Sequence, residues 1–317
     1  MPKALDILGF GSVAVDDIIY VDQPLGTGKG RVTGRSIAHG GNVATALCAA
    51  ASLGARAGYV GWLSNLPEYE FVAKAFENDN VDVSHASLAD DAPPIRSVVV
   101  VDTQGERFIA YEDNTRCDAP AGLDAATLKQ AQVLLIDSYA SSSLPVVADA
   151  RALGLQIVAD LEWSTGRATD ELIAMVDHLV LPWNFASKLT GKNEPSEILA
   201  DLWSPERSGV VLTKGEEGSF VRQKDDPVVW HQPAHSVQVL DTTGCGDCFH
   251  GAYAAALVLE KTPLECTTYA SAAAAISATG SGGRGALPTH EACVSLMTSD
   301  DAPTASPLAS LERCLEI

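Results

Sequence analysis

Short β-branched runs alternate with Ala-rich or amphipathic stretches along most of this chain, and that alternation restricts its fold more than any other feature. Strands are expected from Leu5 to Gly11, Ala57 to Leu63, Val133 to Asp137, Leu155 to Asp160, His178 to Leu181 and Gly209 to Thr213. Helices are expected from Asn42 to Leu53, stopped by Gly54, from Pro67 to Asn78 with proline in the first turn, and from Leu144 to Leu153. Strand, helix, strand repetition implies an α/β architecture: a doubly wound, mostly parallel sheet flanked by helices. With 317 residues, 46% of them hydrophobic, the chain can bury a large core, and residues 1–317 read as one domain.

Two regions break the rhythm, 16–37 and 95–114. In the second, Ser97-Val-Val-Val-Val and Arg107-Phe-Ile-Ala-Tyr flank the turn Asp102-Thr-Gln-Gly105. Both regions read as an antiparallel patch inserted in the domain, a β lid over the carboxyl ends of the parallel strands. Its strand edges need cover, which a second subunit would supply, so a homodimer through the lid is expected. Residues 298–307 have the composition of a flexible linker, with a short terminal helix after them.

No apolar run approaches the ~20 residues needed to cross a bilayer, and Met1-Pro-Lys-Ala-Leu-Asp is unlike a signal peptide. A cytoplasmic protein with no membrane partner is the expectation. Seven scattered cysteines, Cys314 the last of them, read as reduced thiols. The formal net charge of −20 argues against nucleic acid as a partner, since counterion release needs positive surface. A phosphate-bearing ligand would need local help: backbone N–H groups, helix N-termini and a few placed cations.

Such help is encoded at Asp241-Thr-Thr-Gly-Cys-Gly-Asp247, between the alternating Val237 and Val239 and an Ala-rich run from Phe249 to Leu259. The pattern predicts strand, tight turn, helix. Gly244 and Gly246 let the backbone aim N–H groups at one point, the helix dipole adds partial positive charge there, and Asp247 stands beside it as a proton acceptor. The plainer reading is a helix start with an acidic first turn. Cys245 and Cys248 form a Cys-x-x-Cys pair near His250, but no second cluster completes a zinc site. A second glycine pair opens a helix at Ala38-His-Gly-Gly-Asn42, where Asn42 either caps the helix or offers donor and acceptor to a hydroxyl. Gly9-Phe-Gly-Ser-Val-Ala-Val-Asp16 mimics a dinucleotide fingerprint, yet the β-branched residues after Asp16 deny it the required helix. Gly26-Thr-Gly-Lys-Gly30 likewise lacks the P-loop frame.

The Asp241 to Asp247 motif resembles the C-terminal signature of PfkB (ribokinase-like) carbohydrate kinases, with Cys245 where alanine is usual. Gly40-Gly41-Asn42 resembles the family's N-terminal signature in its ketohexokinase-like form, with Thr45 at a position that often holds asparagine. The resemblance runs from Gly9 to Pro288 and implies a ribokinase-like fold with a small β-sheet lid. It also implies transfer of the γ-phosphoryl group of ATP, with Mg2+, to a sugar hydroxyl. By that resemblance Asp247 is the base, within a catalytic turn of Gly244, Cys245 and Gly246. Asp16, Gly40, Gly41, Asn42 and Thr45 lie on the sugar side, with Lys29 within reach of the substrate. Thr213, Lys214, Gly215 and Gly218, in Leu212-Thr-Lys-Gly-Glu-Glu-Gly218, lie on the nucleotide side with Gly282, Gly283 and Arg284 of the adenine-closing loop. Asp241 matches a site that holds a monovalent cation, K+, in several members. The family's Asn-x-x-Glu magnesium motif falls on Pro182 and Phe185, with Asn184 displaced. Similarity to sulfofructose kinases at Gly28-Lys29, Val101 to Arg107 and Gly282-Gly-Arg-Gly is offset by Tyr111 and Tyr139 at the positions that would grip a sulfonate. A neutral sugar, a ketose by preference, is therefore expected. Two alternatives remain: a nucleoside kinase in which Tyr111, Tyr139 and Trp163 stack a base, and a binding protein that has lost catalysis.

Overall fold

The computed structural model of the chain describes residues 4–26, 28–104, 107–112 and 114–308, with the side chain of Arg107 excluded. Met1-Pro-Lys, Thr27, Gly105, Cys314 and the terminal helix expected after Pro307 lie outside the described residues.

Ile7–Phe10, Ala57–Tyr59, Val133–Asp137, Gln156–Asp160, His178–Pro182 and Gly209–Thr213 form the parallel part of a nine-stranded sheet. Ile7–Phe10 is buried at all four residues, as a strand with helices on both faces must be. On one face Ile7, Val133, Leu135, Val158, Val180 and Val211 pack beneath the Ala-rich helices Asn42–Ser52, Cys245–Val258 and Pro263–Ser277. Their neighbours Leu8, Leu134, Ile136, Ile157, Leu179 and Leu212 point the other way, towards Leu144–Ala152, Arg167–Met175, Trp183–Thr190 and Pro195–Asp201. The strand period of two thus feeds two separate cores.

Ile7–Phe10 lies between Ala57–Tyr59 and Val133–Asp137. The chain leaves it towards one neighbour and later returns on its other side, a switch of direction that opens a crevice at the carboxyl ends. Phe10, Asp137, Asp160, Pro182 and Thr213 end their strands along this edge.

The second sheet combines Ala14–Val21, Val32–Gly40, Ile95–Val101 and Arg107–Glu112. It is not wholly antiparallel as expected, because Ala14–Val21 and Ile95–Val101 run parallel, with Asp16 beside Ser97. Helix Asn42–Ser52 and the strand Ala57–Tyr59 separate these two strands in sequence, so no tight hairpin dictates their direction.

Three further expectations change. Ala57 to Leu63 is interrupted, with Trp62–Ser64 pairing separately with Ser87–Ala89. A Cβ on the intervening Gly61 would overlap the Tyr59 hydroxyl. Residues 233–239 form no strand: Leu240 and Asp241 donate instead to Ala278 O, while Val239 and Leu240 stay 58% and 69% exposed. Residues 298–307, read as a linker, end in Ser306–Pro307, which joins the main sheet beside Asp226–Gln232.

Candidate active site

Helix Cys245–Val258 begins at Gly244, whose φ of 75° lies in the left-handed region that favours glycine. A Cβ there would stand 2.5 Å from Gly283 Cα, so two backbones meet without side chains between them. Asp241 joins the same turns, accepting from Thr243 N at 2.9 Å, Thr243 Oγ1 at 2.7 Å and Gly282 N at 2.9 Å. Asp241, Gly244, Gly282 and Gly283, all expected at the site, thus come together.

Asp247 falls in the first turn of this helix and is half-buried. Its carboxyl is held well above the usual carboxylate range by burial, then by the negative charges of Asp160, Glu162 and Asp137, with Arg284 opposing. Cys245 is half-buried and its thiol is pushed up by burial, whereas Cys248 turns into the core with Sγ against Ala273 O.

Across the crevice, helix Asn42–Ser52 starts at Gly41, where φ is 95° and a Cβ would lie 2.6 Å from Ser12 O. A Cβ on Gly40 would approach Asp16 Oδ2 to 2.8 Å, so Gly40 keeps that carboxylate's space open. Asp16 accepts from the Ser97 hydroxyl. The Asn42 side chain does not cap its helix but donates through Nδ2 to Asp160 Oδ2 at 3.2 Å.

The two helices lie side by side because Gly251 meets the backbone of Ala46; a Cβ there would run into Ala46 O. The register of one close contact therefore sets the relative positions of the Asp247 and Asn42 turns.

A groove of about 840 Å³ separates the lid from the Asp241 turn, with Asp16 and Ser97 on one wall and Asp241, Thr243 and Gly282 on the other. Ile18, Tyr20, Val99, Val101 and Ile109 extend the lid wall. Tyr111 pairs with Ser97 and so projects from the same face of the sheet, 68% exposed.

The other expected residues lie around this groove or away from it. Thr45 is fully buried beside Gly283. Lys29 is exposed in the loop between Val21 and Val32, outside the groove lining. Lys214 pairs with Glu217 at 2.8 Å and lies over the Trp183 ring, and Gly218 has φ 90° at a place where a Cβ would also meet Gln232 O. Thr213 and Gly215 are at the carboxyl edge, in the strand end and the turn that follows. Arg284 pairs with Asp79 at 3.3 Å. Tyr139 packs edge-on against Trp163, 5.2 Å between centroids, beside a separate small pocket. Phe185 is core, Pro182 ends its strand and Asn184 is exposed, so the two positions that match Asn-x-x-Glu carry no polar side chain.

Four residues without a sequence motif complete the edge. Asp137, buried with its carboxyl raised to about 6 by desolvation, accepts from Ser12 N at 2.6 Å and Tyr139 N at 3.0 Å. Asp160 holds Asn42, and Glu162 has its carboxyl raised by burial and by Asp160, with Asn42 opposing. His250 lies beneath them, 3.4 Å from Asp160. The available signal was position: Asp137 and Asp160 are the last residues of consecutive parallel strands.

Residues 4–290 match the sequence profile of the pfkB family carbohydrate kinases. The chain belongs to this family. The kinase, a phosphotransferase with an alcohol group as acceptor, is similar to the ribokinase of Haemophilus influenzae, 26% identical over 310 residues that cover 92% of this chain and 97% of that one. It is also similar to fructokinase-1 of Oryza sativa subsp. japonica, 25% identical over 320 residues, 92% and 98% of the two chains. Its fold is ribokinase-like. It superposes on the Arabidopsis thaliana ribokinase solved with ribose and ATP with a TM-score of 0.82, at 21% identity and covering 94% and 100% of the chains. Among the described residues no helix is long and apolar enough to cross a membrane.

Proposed function

We propose that this carbohydrate kinase transfers the γ-phosphoryl group of MgATP to a hydroxyl of a small neutral sugar, with Asp247 as base. Asp247 accepts the hydroxyl proton while the substrate oxygen forms its bond to the γ-phosphorus and the bond to the ADP oxygen breaks. The observation that carries this reading is the placement of the Asp247 carboxyl in the first turn of a helix opened by Gly244. There the N–H groups and the helix dipole favour the charge of a phosphoryl group in transit. Asp16 and Asn42 take the sugar side. The Gly282-Gly283 backbone, Thr213 and Gly215 take the nucleotide side, with Mg2+ arriving on ATP. A K+ ion beside Asp241 would reinforce the clasp between the Asp241 turn and Gly282; activity compared in K+ and in a bulky organic cation checks this.

A screen of neutral aldoses and ketoses coupled to ADP release is the direct test, with a ketose expected among the substrates. Asp247→Asn is expected to lower kcat by about 10²-fold or more while ATP still binds, in line with loss of a general base. Undiminished turnover by that variant would remove Asp247 from the role.

The apolar lid wall favours a second reading. Ile18, Tyr20, Val99, Val101 and Ile109 offer little to a fully hydroxylated sugar beyond Asp16, and they suit the base of a nucleoside. Nucleosides belong in the same screen, and preference for them over free sugars would select this reading.

A homodimer through the lid is part of the proposal. Asp17 pairs with Ile37 and Val98, so the outer face presents Ile37, Val98 and Phe108, exposed by 65%, 41% and 61%.

A further inference from the structure

His250 follows Asp247 by three positions, close to one turn of the same helix, and has no part in the transfer step above. Its side chain is 2% exposed, and oxygens face both ring nitrogens. Nδ1 lies 2.8 Å from Gly246 O and 3.4 Å from Asp160 Oδ2, and Nε2 lies 3.0 Å from Val180 O. Carbonyl oxygens only accept hydrogen bonds. A ring with a single proton would therefore leave one nitrogen lone pair against a carbonyl lone pair, in a place closed to solvent. A ring protonated at both nitrogens donates to both carbonyls, and the Asp160 carboxylate, itself buried, supplies the opposite charge. The same Asp160 oxygen accepts from Asn42.

We propose that His250 is a positioning residue, held as an imidazolium and paired with Asp160, and that this buried ion pair fixes the start of the Asp247 helix and limits the negative field on Asp247. The pair ties the helix to Gln156–Asp160 through Asp160, to His178–Pro182 through Val180, and to Asn42 on the sugar side. The titratable and charged groups facing Asp247 from other elements are Asp137, Asp160, Glu162 and Arg284, with Cys245 and Cys248 on its own helix. Three of these are carboxylates. His250 is the positive group set directly against one of them, and its charge also opposes the upward displacement of Glu162. Without it Asp160 becomes an uncompensated buried carboxylate, and repulsion at Asp247 increases.

The catalytic consequence rests on the kinase reading with Asp247 as base; the charge on the ring does not. Nitrogen-15 NMR of histidine-labelled protein, with His250 identified by its contacts to Val180 and Gly246, is expected to show a proton on both ring nitrogens in the native protein. In His250→Gln the carbon-13 titration of the Asp247 carboxyl is expected to move up by about one pH unit. The acid limb of kcat/KM for sugar should move with it, while KM for ATP is unchanged. A histidine with a purely structural role would lower the melting temperature and leave the Asp247 titration in place. A single ring proton in the native protein overturns the proposal, as does a folded His250→Gln variant with an unmoved Asp247 titration. If that variant does not fold, the spectrum of the native protein decides alone. If the native protein phosphorylates no sugar, the kinase reading falls and both NMR measurements still decide the ion pair.

Discussion

As the proposed base Asp247 has to be a carboxylate, yet its surroundings favour the neutral acid. Burial and the charges of Asp160, Glu162 and Asp137 all raise its affinity for a proton. Lowering the pH through this raised value would protonate the proposed base and remove activity. The acid limb of kcat/KM is therefore expected above the ordinary Asp value of about 3.9. A pH profile measured between 4 and 9 checks this, and full activity down to pH 4 would show that Asp247 is not raised in the working enzyme. At this scale the glycines, Asp247, Asp16 and Asn42 were legible because each lies within a short motif. Asp137, Asp160 and His250 were not, because their partners are remote in sequence. Ser12 N meets Asp137 over 125 positions, and His250 Nε2 meets Val180 O over 70.

Helices Asn42–Ser52 and Cys245–Val258 were both legible as Ala-rich runs opened by glycine. Their mutual position depends on Gly251, an unremarked residue in the middle of the second helix. Gly251→Ala improves helix propensity by roughly 1 kcal/mol, but the added methyl meets Ala46 O with no side chain able to move aside. The clash is expected to win, with a net loss of about 1–3 kcal/mol in stability. Thermal melting and sugar kinetics on the variant check this; a variant as stable and active as the native protein would show that the helices do not need this contact. The alternation of Val237 and Val239 suggested a strand for a different reason. That segment hydrogen-bonds at its end to Ala278 O, and Val239 and Leu240 line the groove beside the lid. Period two records which side faces an apolar wall, and a loop running along such a wall acquires it as readily as a strand does.

Over the whole molecule the lid has apolar residues on both of its faces, an arrangement that a sheet standing alone in water does not sustain cheaply. The inner face covers the groove, and the proposed dimer covers the outer one. Ile37→Lys combined with Phe108→Lys is expected to convert a dimer to a monomer in light scattering, since each places a charge in the apolar face. A native protein that already runs at the mass of one chain would remove the dimer. The net charge of −20 adds repulsion between subunits, so dissociation of the native dimer is expected at low ionic strength before high.

By itself the amino-acid sequence determined the α/β class, the order of the parallel strands along the chain and the glycine-opened turns, and through the family resemblance it singled out Asp16, Asn42 and Asp247 as candidates. The class, the strands and the turns depend on periodicity or on backbone freedom within a few residues. Only the tertiary structure decided that the lid strands Ala14–Val21 and Ile95–Val101 run parallel and that Thr45 is sealed beneath Gly283. The same holds for Arg284 turning to Asp79 and for Asp160 joining Asn42 to His250. Such pairings compare the energies of contacts between segments far apart in the chain, and no local pattern records which of the competing contacts wins.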